Sequence, residues 1–335
     1  MFFLVIIYHF KKKILTVASS HCDRRLKFLM IKNLTFLQAT VRWDKYVRTI
    51  FMQICRDLFA ELYAKLKNTD ILYLQEHSLF AHAINLKLNN KLITILSEDK
   101  ILSPFSLTLP KSFFSHVSSL TFKKGKDLSI IIYAQNNLNT YELKPQDCVD
   151  LKLSINLQKN FNDVFLKLFF LFLNKNKCPN SLFELIFIKK DTFCLEKYTK
   201  LKICALTIDQ DRLAFSNALC DFLGLGPGLT PSGDDFILGW LFILRLYNVK
   251  HLPYISKVIA DNLSLTNDIS AAMLKNALSG RFNLNLIKTA ELLKKINPAC
   301  FEESISGIFK LENYGHSSWQ DCLLGVFTAL HSVRN

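Results

Sequence analysis

Hydrophobic positions change their spacing twice along the chain. From Trp43 to Leu66 they recur every three or four residues. Val47, Ile50, Phe51, Ile54, Leu58, Leu62 and Leu66 then share one side, which predicts an amphipathic helix. Between about 70 and 153 the runs become short and apolar or alternating, at Ile71–Leu74, Leu79–Leu88, Lys91–Leu96, Phe105–Leu109, Ser118–Phe122, Leu128–Tyr133 and Val149–Leu153. Turn-formers separate them, notably Asn89-Asn90, Ser103-Pro104 and Gly125. Short strands so closely spaced predict an antiparallel sheet or a small barrel. From about 160 helical spacing returns in Asn162–Asn174, Ser181–Ile188, Ile208–Leu223, Ser232–Tyr247, Pro253–Leu263, Ile269–Ser279, Leu284–Lys295 and Ser317–Ser332. Strands followed by helices indicate an α+β protein with segregated parts. The expected division is a partly helical extension at 1–65, a β-rich domain at 66–158 and an all-helical domain at 159–335.

Composition narrows the function classes. The net charge of +14 suggests a nucleic-acid binder, but residues 1–67 hold 13 Lys/Arg against 4 Asp/Glu, so most of the excess lies there. The later half has no basic stripe interleaved with aromatics, and nucleic acid is not expected as a partner. Nine cysteines are scattered from Cys22 to Cys322 without a C-x-x-C pair, as in a reducing cytoplasm. The apolar Met1–Tyr8 precedes Lys11–Lys13, the reverse of a secretory signal. Phe161–Leu173 is interrupted by Asp163 and Lys167, and Phe236–Tyr247 is too short to span a bilayer. A soluble chain without a membrane partner is expected. Met30 and Met52 are alternative starts that would shorten the basic leader.

Two loops carry candidate chemistry. The first runs Gly224-Leu-Gly226-Pro-Gly228-Leu-Thr230-Pro-Ser232-Gly233-Asp234-Asp235. Its alternating glycines permit positive φ and close ligand approach. Ser232 is placed to cap the following helix, whose first N–H groups suit phosphate or carboxylate. Thr230 adds a hydroxyl. Asp234 and Asp235 are open to three roles: metal ligand, partner of a substrate amine, or acid favouring the helix N-terminus. No Lys-Ser/Thr follows at P-loop spacing, and no strand precedes as a dinucleotide fingerprint requires. The second loop, Gly315-His316-Ser317-Ser318-Trp319-Gln320-Asp321, also opens a helix, and His316 is a candidate acid, base or anion donor.

The loops echo each other. Ser232-x-x-Asp235-x-x-Leu238-Gly239 repeats as Ser318-x-x-Asp321-x-x-Leu324-Gly325. Ser with an acid three residues later resembles a capping box, which makes Asp235 and Asp321 caps on the plainer reading. The glycines would let the two helices approach closely as a pseudo-symmetric pair, with both N-termini converging on one anion. A third segment, Thr266-Asn267-Asp268, reads as a plain cap by Thr266 or Asp268.

Gly226-Pro-Gly-Leu-Thr-Pro-Ser-Gly-Asp-Asp235, with Ser270, Gly280, Gly315-His-Ser-Ser318 and Asp321, resembles the signature of the AllH-type family. The likeness extends to His77-Ser-Leu-Phe-Ala-His-Ala-Ile-Asn85 and covers roughly 70–335. It implies a subunit of an oxamate carbamoyltransferase in allantoin catabolism, moving a carbamoyl group between oxalurate and phosphate. Partner subunits and a small anionic substrate follow from it. On this reading Gly226, Gly228, Thr230, Ser232, Gly233, Asp235, Ser317, Ser318 and Asp321 bind the anion, while Asp234 and His316 lie nearest the chemistry. No cofactor or metal is expected. Two alternatives stand beside it: a non-catalytic anion-binding or scaffolding subunit, and a Mg²⁺ enzyme using Asp234, Asp235 and Asp321. Trp319 stands where the family usually has Gly, and the basic extension is also atypical.

Overall fold

The computed structural model describes residues 52–335, apart from 115–119, 127, 135–139, 159–160, 312–316 and 334–335. The amino-terminal part of this region is built on two sheets. β1 (Ile54–Cys55) leads into α1 (Arg56–Leu66), and then come β2 (Ile71–Tyr73), β3 (Gln75–Phe80), β4 (Ala83–Leu88), β5 (Lys91–Ser97), β6 (Ser106–Leu109), β7 (Leu120–Lys124), β8 (Ile130–Ala134), β9 (Thr140–Leu143) and β10 (Cys148–Val149). One sheet has the order β10-β1-β6-β5-β4-β3, the other β2-β7-β8-β9. Pairing is mostly antiparallel, but β5 with β6 and β1 with β10 run parallel. The α+β class and its division into sheets and helices follow the pattern read from the sequence.

Local differences have physical reasons. The apolar run Leu79–Leu88 is two strands, because Phe80 pairs with Ala83 and the chain reverses at Ala81-His82. The turn at Asn89-Asn90 is as expected, with Asn89 at φ +55° between paired Leu88 and Lys91. The helix expected over Trp43–Leu66 runs only from Arg56 among the described residues; Ile54 belongs instead to a fully buried strand. Positions 43–51 lie outside the described residues. Leu58, Phe59, Leu62 and Leu66 of α1 enter the same core as Ile84, Ile93, Ile95, Phe113 and Phe122 of the β-rich part.

The rest is helical: α2 (Asp163–Lys175), a π-helical turn (Glu184–Ile188), α3 (Thr192–Leu206), α4 (Arg212–Cys220), α5 (Ser232–Leu246), α6 (Leu252–Asp261), α7 (Asp268–Leu278), α8 (Leu284–Lys295), α9 (Phe301–Phe309) and α10 (Ser318–Ser332). α5 is central, with Phe236, Ile237, Leu241, Phe242 and Ile243 all inaccessible to solvent. A helix apolar all round must be enclosed by others. No helix among the described residues is long and apolar enough to cross a membrane.

The segment between α7 and α8 joins the two parts. Gly280 accepts from Leu153 N–H, Phe282 donates to Leu151 O and Leu284 donates to Leu102 O, at 2.8–3.0 Å. The Arg281 guanidinium grips the Asp57 carboxylate of α1. Arg281 and Asn283 are thereby fixed where sheet and helices meet.

Candidate functional site

α5 and α10 cross at Gly239 and Gly325, each glycine lying against backbone of the opposite helix. Their amino-terminal ends meet: Thr230 Oγ1 and Ser318 Oγ are 2.9 Å apart. The echo in the sequence is therefore a pseudo-symmetric pair in space.

Neither serine acts as the expected cap. Pro231 is the N-cap of α5 and Ser317 that of α10, and neither makes a side-chain cap bond. The aspartates face across the pair instead. Asp321 is buried, accepts from Leu182 N–H at 2.7 Å, and has the Ser232 and Ser317 hydroxyls beside it. Asp235 is buried with neither oxygen in a hydrogen bond of normal geometry; the Ser318 and Thr230 hydroxyls stand nearest. Burial pushes the Asp235 carboxyl well above its ordinary pKa, and the charges of Asp321 and Asp234 add to this, against a partial offset from the hydroxyls. Burial likewise raises Asp321 to about 7, opposed by the Ser232 hydroxyl and the Leu182 N–H. The capping-box expectation fails because both carboxyls are drawn into the helix–helix seam.

Asp234 points away from that seam. It accepts from Gly224 N–H at 2.9 Å and from the Thr266 hydroxyl, tying the glycine loop to the start of α7. Burial raises its pKa as well. Thr266 is thus spent on Asp234, and α7 is capped by Asn267, which accepts from Ile269 and Ser270 N–H, rather than by Thr266 or Asp268. Among the described residues no three His, Cys, Asp or Glu side chains gather as a metal-ligand set.

The loop glycines divide by role. Gly224, Gly226 and Gly228 all have positive φ. Gly226 and Gly228 are exposed, and their N–H groups make no hydrogen bond among the described residues. Gly233 is buried against the Phe222 carbonyl and serves packing. Ser317 is half-buried. Gly315 and His316 lie outside the described residues.

Thr230 and Ser318 open onto a cleft of about 380 Å³ between β4–β5, the 100–104 loop, α7 and the Arg281–Asn283 segment. Among the described residues its charged lining is Lys100 and Arg281, with His82 beside them and no carboxylate. Asn283 is 3% exposed and turns Oδ1 to Leu286 N–H, which leaves Nδ2 without a partner. His82 Nδ1 is also buried and unpartnered. Asn85 is held by Thr94 and Ser78 at 2.8 and 2.9 Å. The remaining wall is largely apolar, including Phe80, Leu92, Leu96, Leu238, Met273 and Phe282. Such a space, mostly apolar with a few convergent polar groups, is a candidate small-molecule site. Trp319 is buried in the helical core and does not line the cleft.

Of the residues lining this cleft, the sequence singled out Thr230 and Ser318 but not Lys100, Arg281 or Asn283. The stretch ending at Asn85 held part of the signal. Lys100 carried none, since a lysine in a strand-to-strand loop looks like any solvated residue.

Two family models match the chain. Residues 222–330 match the family described as oxamate carbamoyltransferase subunit AllH, and residues 50–158 match the AllH family N-terminal domain. The first span holds both signature loops and the second holds the sheet side of the cleft. No solved structure matches the chain. The chain belongs to the AllH family, named for a subunit of oxamate carbamoyltransferase.

Proposed function

We propose that the cleft seats a small carbamoyl-bearing anion, and that the chain works as one subunit of a carbamoyl-transferring complex. One observation carries the reading. Hydroxyls from two loops far apart in sequence are paired at 2.9 Å on the wall of a cleft whose charged lining, among the described residues, is cationic.

The roles follow from the chemistry. In oxalurate the carbamoyl carbon is bonded to the nitrogen of an oxamate unit. A phosphate oxygen attacks that carbon, the C–N bond breaks, and the proton of hydrogen phosphate passes to the departing nitrogen. Oxamate and carbamoyl phosphate result. Negative charge grows on the carbamoyl oxygen at the transition state, where preorganised donors act most strongly. Thr230 and Ser318 are placed to supply them. Lys100, Arg281 and Asn283 Nδ2 suit the carboxylate end. Asp234 holds the glycine loop in register, while Gly226 and Gly228, bound to no partner among the described residues, stand outside the cleft lining. His316, directly before Ser317, is the proposed proton carrier for the departing nitrogen. Asp235 supports the hydroxyl pair from behind, and Ser232 faces Asp321 across the helix seam.

Calorimetric titration with oxamate and with carbamoyl phosphate tests this reading. Binding to the wild-type chain, weakened about tenfold in Ser318→Ala or Thr230→Val, is expected for the loss of one charge-assisted hydrogen bond. Affinity untouched by both substitutions removes the proposal, as does no binding by the chain alone or with its partner subunits.

A further inference from the structure

A second hollow, of about 700 Å³, opens beside the cleft. One wall is the β4–β5 hairpin from Lys87 to Leu92, and the other is the face of α7 carrying Asp268, Ala271 and Lys275, with Ser279 just past its end. The two spaces share Leu92, Ala272, Asn276 and Arg281. Ligands in both would share Arg281, whose guanidinium is already held in place by Asp57.

The charged lining of the hollow is mainly basic. Lys87, Lys91, Lys275, Arg281 and His77 line it, against the single carboxylate Asp268 among the described residues. Three of these basic groups have partners. His77 Nε2 is 3.2 Å from Asp268, Lys91 Nζ is 2.6 Å from Glu61, and Arg281 binds Asp57. Lys87 and Lys275 make no ion pair among the described residues and stand on opposite walls, one on a strand and one on a helix. Asn89, Asn90, Asn276 and Ser279 add uncharged polar groups around them.

We infer that this hollow binds a phosphate or phosphoryl group between Lys87 and Lys275, as the second ligand beside the cleft. The inference rests on the cleft being the seat of the carbamoyl-bearing anion. Two ammonium groups with no carboxylate partner match a dianion, whereas a lone carboxylate would compensate one of them. Lysine acts as a compact point charge, suited to tetrahedral oxyanions that need no planar fork. Group transfer also requires donor and acceptor side by side, and two hollows that border each other at Leu92, Ala272, Asn276 and Arg281 set their ligands next to one another.

The test uses the full chain and three probes: inorganic phosphate, carbamoyl phosphate and oxamate. In Lys87→Gln/Lys275→Gln, phosphate affinity by calorimetry is expected to fall about tenfold or more, the scale of one or two lost charge-assisted contacts. Oxamate affinity should change less than twofold. Both lysines are at the surface, and Lys275→Gln alone should give part of the loss. Unchanged phosphate affinity in the double variant, or phosphate binding abolished by Thr230→Val instead, overturns the proposal. Lysine-dependent binding of carbamoyl phosphate but not of free phosphate supports the hollow and identifies the mixed anhydride as its ligand. Lysine-dependent phosphate binding without any oxamate binding supports the hollow and removes the cleft reading alone.

Discussion

Gly239 and Gly325 exchange the same contact. A Cβ on Gly239 would lie 1.9 Å from the Cys322 carbonyl oxygen, and one on Gly325 would lie 2.0 Å from that of Phe236. In each case the carbonyl belongs to the residue three positions before the other glycine. The two α-helices touch backbone to backbone, and their first turns are thereby drawn together at Thr230 and Ser318.

Alanine at either position must separate α5 from α10, because backbone cannot swing aside as a side chain does. Overpacking of a dense core costs about 1–3 kcal/mol, and this site belongs at the upper end. The double variant should cost less than the sum of the singles, since one substitution already opens the seam. Urea denaturation of the three variants measures both effects. Additive or negligible losses would mean that the helices are not in this contact.

The loop glycines give a sharper comparison. Gly228 has φ +102° and open space around its Cβ position, so Gly228→Ala meets backbone strain alone, about 1 kcal/mol. Gly224 has φ +71° and its Cβ would lie 2.3 Å from the Leu265 carbonyl. Gly224→Ala should therefore cost distinctly more and also loosen the Asp234 anchor at Gly224 N–H. Equal losses by thermal denaturation would contradict this placement of the loop.

Much of this architecture is legible in the sequence because it is written in period and repetition. The switch from alternating runs to helical spacing places the sheets and helices, and the recurring Ser-x-x-Asp-x-x-Leu-Gly unit gives the helix pair. What the sequence hides depends on which neighbour wins a polar group. Ser232 and Ser318 have the spacing of caps, yet burial of Asp235 and Asp321 pulls the carboxyls across the seam. Periodicity does not predict α3: Phe193, Leu195, Ile203 and Leu206 are exposed, so its apolar residues do not form one clean stripe. Strand β9 is short and its alternation covers only Tyr141 and Leu143. The cleft is the least legible part, because Lys100, Arg281 and Asn283 come together only when the segment after α7 is stitched to the sheet.

Asp234 offers a test of positioning against chemistry. Asp234→Asn retains an acceptor for Gly224 N–H but disturbs the bond from the Thr266 hydroxyl, whereas Asp234→Ala loses both and leaves a hole in a buried site. The alanine variant should lose about 2–4 kcal/mol of stability and the asparagine variant about half of that. Limited proteolysis should cut the alanine variant first near the exposed Gly226–Gly228 stretch. A stable alanine variant with an uncut loop would show that the loop is held elsewhere.

Asp321 sets the sign of a pH dependence. Its carboxyl titrates near 3.8 in the unfolded chain and at about 7 when folded, so between these values the folded protein binds more protons. The stabilisation is therefore complete below about pH 4, declines as the pH rises, and is gone above about 7, with up to about 4 kcal/mol involved. Asp235 is shifted in the same direction and adds to the fall. Asp321→Asn keeps an acceptor for Leu182 N–H but has no proton to lose, so the difference between variant and wild type isolates this group. Urea midpoints at pH 5 and pH 8 should then diverge, with the asparagine variant gaining on the wild type at the higher pH. Parallel curves would mean that Asp321 is already ionised at pH 5, and that the seam between α5 and α10 holds a charge rather than a proton.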